Sequence, residues 1–333
     1  MPTTHSGFLI QSSFGTPGNF ELVVPYPAGG FAHFWRSNEG VPGPWNGPTR
    51  FGDGPVLDVS LIQSNFTAGS GLGNLEVAVR VSDRLAHYGR EDQPPYGWFG
   101  PTYLASGIYG NPALIQSRFG GRGNFELVAP LTGGGIAHYW RDNDAPGYPW
   151  HGPSVFAQEL GRVDAVALVQ SNFDQIDSHT GNLELVARSG HQLVAYWRDS
   201  GPHFAWRPGG AFFSGAAGVP GFIQSRFGHP GDFHLVTPLA AGGLAHLRRT
   251  NGASGPRWEA PWSFGDGHML GVALIQNAAG SVGLGNLELV TRWDAGQAHY
   301  WLSDENRGAP PFNWNGPTLF GSSGGVSVSI QFG

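Results

Sequence analysis

The residues of this chain that could do chemistry come in sets. A glutamate sits inside a short apolar run at Glu21, Glu76, Glu126, Glu184 and Glu288, with His234 in the matching place of one further copy. Eleven or twelve residues downstream stand His33, His87, His138, His246 and His299, with Ala195 where a sixth would fall. An aromatic-Trp-Arg trio follows directly in three copies: Phe34-Trp35-Arg36, Tyr139-Trp140-Arg141 and Tyr196-Trp197-Arg198. The other copies depart from it as Tyr88-Gly89-Arg90, Leu247-Arg248-Arg249 and Tyr300-Trp301-Leu302. A carboxylate and a guanidinium grip vicinal hydroxyls by charge-assisted hydrogen bonds. An indole offers a flat face to the apolar C–H side of a pyranose. The chemistry on offer is therefore sugar binding, carried by Trp35, Arg36, Trp140, Arg141, Trp197, Arg198 and Trp301 with Glu21, Glu126 and Glu184. The same residues also admit a structural role as a buried pair repeated in every copy, because charges survive burial only when paired. For the Glu–His pairs this is the first expectation.

Other chemistry finds less support. Each histidine is alone in its copy, without His-x-His or His-Glu-x-x-His spacing. Metal sites need three or four converging ligands, so no metal and no cofactor is expected. There is no Asp-x-Asp-x-Asp calcium loop, Gly-x-Ser-x-Gly elbow, phosphate loop or dinucleotide fingerprint. No catalytic residues are assigned, because a repeated constellation lacks the asymmetry that catalysis requires. An enzyme (lyase, hydrolase or cyclase) is the alternative. It would use one axial or top-face pocket where the repeat breaks, at Gly89, Ala195, His234, Arg248, Trp262, Asn277 or Trp293.

The elements that must position these residues are short strands. The apolar-Gln strand begins at Leu9, Leu61, Leu114, Leu168, Phe222 and Leu274, at spacings of 52, 53, 54, 54 and 52 residues by subtraction. A period of this size marks a repeat architecture of propeller blades. Each copy divides into four segments: the Gln strand, the Glu strand, the His strand, and an outer strand opening at Trp45, Trp98, Trp150, Trp206, Trp258 or Trp314. Gly-Asn and Gly-Gly pairs separate the first three, as hairpin turns require. Four strands in meander order, six times over, predict an all-β, six-bladed β-propeller of four-stranded antiparallel blades. The expected blades are 8–52, 60–104, 113–156, 167–213, 221–265 and 273–321 within one domain, 1–333, with 326–333 as a closing strand. Copies alternate: the second strand ends in Pro25, Pro130 and Pro238 in odd copies and in Arg80, Arg188 and Arg292 in even ones. Three two-blade units with pseudo-threefold symmetry follow. The sixfold Gln11, Gln63, Gln116, Gln170, Gln224 and Gln276 is read as a structural amide. The sixfold outer Trp is read first as a wedge between blades, and second as a sugar platform.

Composition agrees. Among 333 residues there are 54 Gly, 26 Pro and 12 Trp, and 13% are charged, which favours many short strands over long helices. A net charge of −6 lacks the basic field of a nucleic-acid binder. Without cysteine there are no disulfides or thiol nucleophiles, and the compartment stays open. Met1-Pro2-Thr3-Thr4-His5-Ser6 lacks a basic and apolar leader, so no signal peptide is expected, leaving a cytoplasmic or non-classically secreted location. No apolar run approaches the ~20 residues of a membrane span, so no membrane insertion is expected.

The order Pro112-Ala113-Leu114-Ile115-Gln116-Ser117, Asn124-Phe125-Glu126-Leu127-Val128, Ala137-His138-Tyr139-Trp140-Arg141 and Trp150-His151-Gly152-Pro153 resembles the blade of tectonin-like and Photorhabdus-type β-propeller lectins. The resemblance spans residues 8–321. It implies a non-enzymatic, multivalent carbohydrate-binding protein, with sites between or at the edges of blades and glycans or glycoconjugates as partners. Fucose or a methylated sugar is the ligand by analogy. Photorhabdus-type members usually have seven blades, and this chain has six copies. Its second strands end in Pro or Arg, and its outer strand lacks that family's second Trp, so ligand identity does not carry over. Six-bladed fucose lectins exist too and hold the sugar with Arg, Glu and Trp, but their site does not align to particular positions of this chain.

Overall fold

The structure is a computed structural model that describes residues 4–40, 43–173, 180–199, 204–251, 256–293, 296–306 and 310–321. Each copy folds into one antiparallel sheet whose strands follow chain order from the axis outward. Blade 1 comprises Leu9–Gln11, Phe20–Pro25, Phe31–Arg36 and Asn46–Phe51; blade 2 comprises Val56–Gln63, Leu75–Val81, Arg84–Arg90 and Trp98–Ala105. Blade 3 is Ala113–Gln116, Phe125–Pro130, Ile136–Arg141 and Trp150–Phe156, and blade 4 is Ala165–Gln170, Leu183–Ser189, Gln192–Arg198 and Trp206–Ser214. In blade 5 (Gly221–Gln224, Phe233–Pro238, Leu244–Thr250) the outer strand splits into Arg257–Trp258 and Trp262–Phe264. Pro261 lies in the gap and has no N–H to give the ladder. Blade 6 is Gly271–Gln276, Leu287–Trp293, Gly296–Leu302 and Asn315–Phe320. The closing strand expected at 326–333 lies outside the described residues.

Strand alternation gives every blade two different faces. In blade 3 the register Ile115–Glu126–Trp140 puts these side chains on one face with Val128 and His138. Gln116, Phe125 and Arg141 lie opposite, with Leu114, Leu127 and Tyr139. The glutamate face of one blade packs on the glutamine face of the next. Ile115 and Val128 of blade 3 share a buried cluster with Leu168, Leu183, Leu185 and Tyr196 of blade 4. The core is thus a set of seams between blades.

Along the axis the six glutamines form a closed circuit. Gln63, Gln116, Gln170, Gln224 and Gln276 accept through Oε1 from the backbone N–H of Ser13, Asn65, Arg118, Asn172 and Arg226 at 2.6, 2.9, 2.6, 2.7 and 2.7 Å. The circuit closes where Ala278 of blade 6 donates to Gln11 of blade 1 at 2.7 Å. Each amide nitrogen donates back to its own first turn, as from Gln116 to the carbonyls of Arg122 and Gly123 at 2.9 and 3.0 Å. That turn needs glycine. Gly123 has φ +75°, and a Cβ there would come within 2.3 Å of the Ser117 carbonyl.

Farther out, the opening Trp of each outer strand packs on the preceding blade. Trp45 stacks on Phe320, Trp206 on Phe156 and Trp258 on Phe212, with ring centroids 4.5, 4.4 and 4.2 Å apart. Trp206 keeps this place although its copy continues Arg207-Pro208-Gly209. The residues before the first strand cross the axial channel: Ser6 N donates to Leu168 O and Gln170 N to Thr4 O, both at 2.8 Å, and Leu61 N to Gly7 O at 2.7 Å.

Replacing the fully buried Gln116 by Leu removes the acceptor of the Asn65 N–H and the donor to the Arg122 and Gly123 carbonyls, a loss of about 0.5–1.5 kcal/mol per hydrogen bond. Denaturant unfolding should show a destabilisation of roughly that size with an unchanged slope; a change below about 0.5 kcal/mol would contradict the structural role of the circuit.

Candidate functional site: the clefts between blades

The second strand aims a carboxylate into each seam, and the next blade answers with a guanidinium. Arg198 Nη1 lies 3.6 Å from Glu126 Oε2, and Arg249 Nη1 lies 3.8 Å from Glu184 Oε2. Arg90 and Glu21, Arg141 and Glu76, and Arg36 and Glu288 across the ring closure hold the corresponding positions, near enough to act on one another electrostatically but not in direct contact. Burial lowers the pKa of all five arginines, and in each case the carboxylate of the preceding blade pushes it back up. Five of the six seams therefore hold a Glu–Arg pair.

The histidine of the same blade completes the acid's surroundings. Its Nε2 meets the carboxylate at 2.6 Å in Glu21–His33, 2.7 Å in Glu126–His138 and 2.6 Å in Glu288–His299. Glu76 and His87 approach to 2.9 Å but are out of line for a hydrogen bond. Trp206 Nε1 donates to His138 Nδ1 at 3.3 Å, which assigns the ring proton to Nε2 and so to the glutamate. Ser12 and Ser117 add hydroxyl donors at 3.2 Å to Glu21 and Glu126. Glu21, Glu126 and Glu184 are all buried in the seams.

Aromatic rings form the walls. Arg90 lies between Phe14 of blade 1 and Tyr96 of its own blade, 5.6 and 4.7 Å from the ring centroids. Arg141 lies between Phe66 and Tyr148 at 5.0 and 5.5 Å, and Arg198 between Phe119 and Phe204 at 5.5 and 4.5 Å. Tyr96, Tyr148 and Phe204 are exposed at the cleft mouths. Beside each glutamate, directly across the strand pair, stands the third-strand Trp. Trp35 is 38% exposed and Trp301 39%. Trp140 stacks on His151 at 4.2 Å, and Arg207 lies 5.0 Å over Trp197. Blade 2 has Gly89 here, and Phe99 from the outer strand lies over it, where a Cβ would come within 2.0 Å of the ring. The aromatic plate survives in that blade by a different route.

The remaining seam, between blades 5 and 6, lacks the Glu–Arg pair; its charged groups are Arg248, opposite His234, and Glu259, which accepts from Arg248 at 2.9 and 2.7 Å. Leu302 replaces the arginine and His234 replaces the glutamate, so neither is left unpaired in the interior. His234 Nδ1 contacts His246 Nε2 at 2.9 Å. Burial and the Arg248 charge hold His234 down to about 3, and burial with its two neighbours holds His246 well below the usual range. Phe312, 1% exposed, fills the space above the pair.

Trp140 and Arg141, adjacent in sequence, point into different clefts: Trp140 shares a face with Glu126, and Arg141 belongs to the seam with Glu76. The same divergence separates Trp35 from Arg36 and Trp197 from Arg198. Arg90 and Arg249 take part although the repeat gave them no prominence. The positioning residues after the arginine were also missed. Asn143 accepts from Arg141 Nε at 2.7 Å and donates to Gly123 O at 2.6 Å, and Asn251 does the same for Arg249 and Gly231 at 3.1 and 2.7 Å. Their signal was Arg-x-Asn in odd copies, at Arg36, Arg141 and Arg249. Asp92 and Asp304 take this place in even blades, because there the turn presents N–H groups (Gly73 at 3.0 Å, Gly285 at 3.1 Å) that need an acceptor. Burial works against the Asp92 carboxylate, but donors from Ser70, Thr67, Gly73 and Ala68 outweigh it and hold its pKa far below the usual range. Of the pattern-breaking positions, His234 and Arg248 face each other across blade 5, whereas Gly89 lies under Phe99 in blade 2, Ala195 lies in blade 4, and Asn277 Nδ2 donates to Glu288 at 2.6 Å in blade 6. No group of three or more His, Asp or Glu able to hold a metal occurs among the described residues, and none of their helices is long and apolar enough to cross a membrane.

No protein-family model and no curated protein matches the chain. Solved structures do. An Aleuria aurantia lectin variant in complex with alpha-methyl-L-fucoside superposes with a TM-score of 0.68 at 12% identity, covering 97% of both chains. A triple Arg-to-Ala mutant of AofleA from Arthrobotrys oligospora reaches 0.61 at 9%, covering 94% of this chain and 84% of that one. A Hadza microbial sialidase reaches 0.54 at 10%, covering 86% and 63%. At these identities the likeness shows the fold: the six-bladed ring described for the fungal lectin.

The seam without a histidine has its own pH signature. Ala195 leaves Glu184 only Arg249 and the Ser171 hydroxyl, and burial pushes its pKa up to about 7, opposed by Arg249. A carboxyl raised in the folded state stabilises fully below its unfolded pKa, and that contribution is lost as pH rises through 7. Stability should therefore fall between about pH 5 and 7, by at most about 3 kcal/mol. Urea unfolding of Glu184→Gln should lose most of this slope, and an unchanged slope would remove Glu184 as its source.

Proposed function

We propose that the protein is a multivalent lectin whose sugar sites are the five charged clefts. The observation that carries this reading is the repeated combination of a buried Glu–Arg floor with aromatic rings exposed at the mouth. Such a floor presents charge-assisted donors and acceptors to vicinal hydroxyls, and the rings receive the apolar sugar face. The site sets are Trp35, Glu21 and Arg90; Phe99, Glu76 and Arg141; Trp140, Glu126 and Arg198; Trp197, Glu184 and Arg249; and Trp301, Glu288 and Arg36. The seam of His234 and Leu302 has no buried Glu–Arg floor, its Arg248 is held by Glu259, and Phe312 closes it, so it is assigned no sugar. Fucose is the proposed ligand, supported by the fucoside in the Aleuria aurantia lectin structure of like fold. The blade motif that resembles tectonin-like lectins supports the same class. Several weak sites on one rigid ring gain avidity on a glycan surface.

Titration calorimetry with alpha-methyl-L-fucoside should show saturable binding at up to five equivalents. Trp301→Ala, which alters an exposed side chain, should lower the stoichiometry by one. Arg198→Ala should do the same at its own cleft. A glycan array with no retained sugar, together with no heat from the fucoside, would end the reading.

A further inference from the structure

The three arginines that close the second strands of even blades take no part in the clefts. Register sets Arg80 opposite Asp58, Arg188 opposite Ala165 and Arg292 opposite Gly271. These are the starts of the inner strands, at the end of the axis away from the glutamines. There Arg80, Arg188 and Arg162 line a cavity of about 270 Å³ together with Asp58, Asp164 and Leu270. Thr4–Gly7 crosses the channel from the other end.

Four guanidinium groups, the three that line the cavity and Arg292, which does not, share two carboxylates; Arg188 also donates to the Gly218 and Gly190 carbonyls at 2.7 and 2.6 Å, and Arg80 to the Ser82 carbonyl at 3.4 Å. Asp58 receives Arg80 Nη2 at 2.9 Å and Arg292 Nη2 at 3.4 Å. Asp164 receives Arg162 Nε at 2.7 Å and Arg188 Nη1 at 3.4 Å. The local balance is +2, in a chain whose formal charge is −6. The pseudo-threefold plan shows where the missing negative charge belongs. Blades 2 and 4 each bring an aspartate to this end of the first strand, and blade 6 brings Leu270 and Gly271. Arg292 is left to lean on the aspartate of blade 2, and its enclosed Nε has no hydrogen-bond partner among the described residues.

From this imbalance we infer that the axial mouth binds a compact, free oxyanion of two or more charges, phosphate- to citrate-sized, which supplies the third acidic group of the ring. Guanidinium forks suit such an anion because they bind oxyanions with two parallel donors. The cavity admits it: a water occupies about 30 Å³, so several heavy atoms and residual waters fit. The site is separate from the sugar clefts and does not depend on their function.

Leu270→Asp tests this directly. It places the missing carboxylate on an exposed side chain and removes no arginine. Calorimetry at constant ionic strength should show one saturable equivalent of inorganic phosphate, and one of citrate, on the unaltered protein. Leu270→Asp should weaken both by about tenfold or more, as should Arg188→Gln, with alpha-methyl-L-fucoside titration unchanged by Leu270→Asp. Circular dichroism confirms that each variant is folded. Absence of saturable heat with both anions overturns the inference, and so does equal binding by the unaltered protein and a folded Leu270→Asp. Loss of fucoside binding in all proteins, with phosphate binding retained, would count against the lectin and leave this site standing.

Discussion

Each blade is tied to its neighbour by the amide of its innermost glutamine, which takes a backbone N–H from the blade before it and returns its own protons to the turn that follows it. The rest of the ring depends on this contact being made six times and closing on itself between Ala278 and Gln11. Magnitudes separate its role from that of packing. A net hydrogen bond is worth about 0.5–1.5 kcal/mol, while one fully buried Phe or Leu contributes roughly 1.5–3 kcal/mol. Phe20, Phe31, Phe125, Phe222 and Phe233 are among the largest fully buried side chains. Apolar seams therefore supply most of the cohesion. The amides fix how far one blade slides along the next, since an N–H left unpaired inside the ring costs more than a made bond returns.

The clefts inherit this register. With the blades held in one offset, the glutamate of one faces the arginine of the next, and the loop rings of both close around the guanidinium. The exceptional seam follows the same electrostatic rule: where the arginine becomes Leu302, the glutamate becomes His234. A lone carboxylate or a lone guanidinium in that interior would be expensive. Two neutral histidines and the buried Phe312 fill the same volume without it.

The two kinds of blade serve different ends of the molecule. At the glutamine end, Asn in odd blades and Asp92 and Asp304 in blades 2 and 6 brace turns that present a carbonyl or an N–H. At the other end, even blades send arginines toward the axis where odd blades stop in proline. Three two-blade units thus leave a cationic axial mouth inside an acidic protein, and the unit that lacks its aspartate breaks the symmetry.

The period of 52 to 54 residues, the four alternating segments and the Gly-Asn turns determined the six-bladed ring from sequence, because strand periodicity and turn chemistry are local properties of the chain. The alternation of Pro and Arg was legible for the same reason. Local pattern also put Glu21 with Trp35, and Glu126 with Trp140, on one face of a blade. Only the tertiary structure decided which residues meet. Trp140 and Arg141 are neighbours in sequence, yet a strand sends successive side chains to opposite faces, so they serve different clefts. The partner of Glu126 is Arg198, 72 residues away by subtraction and set by blade packing that no single repeat encodes. The convergence of Arg80, Arg188 and Arg292 at one end of the axis likewise exists only once the ring has closed.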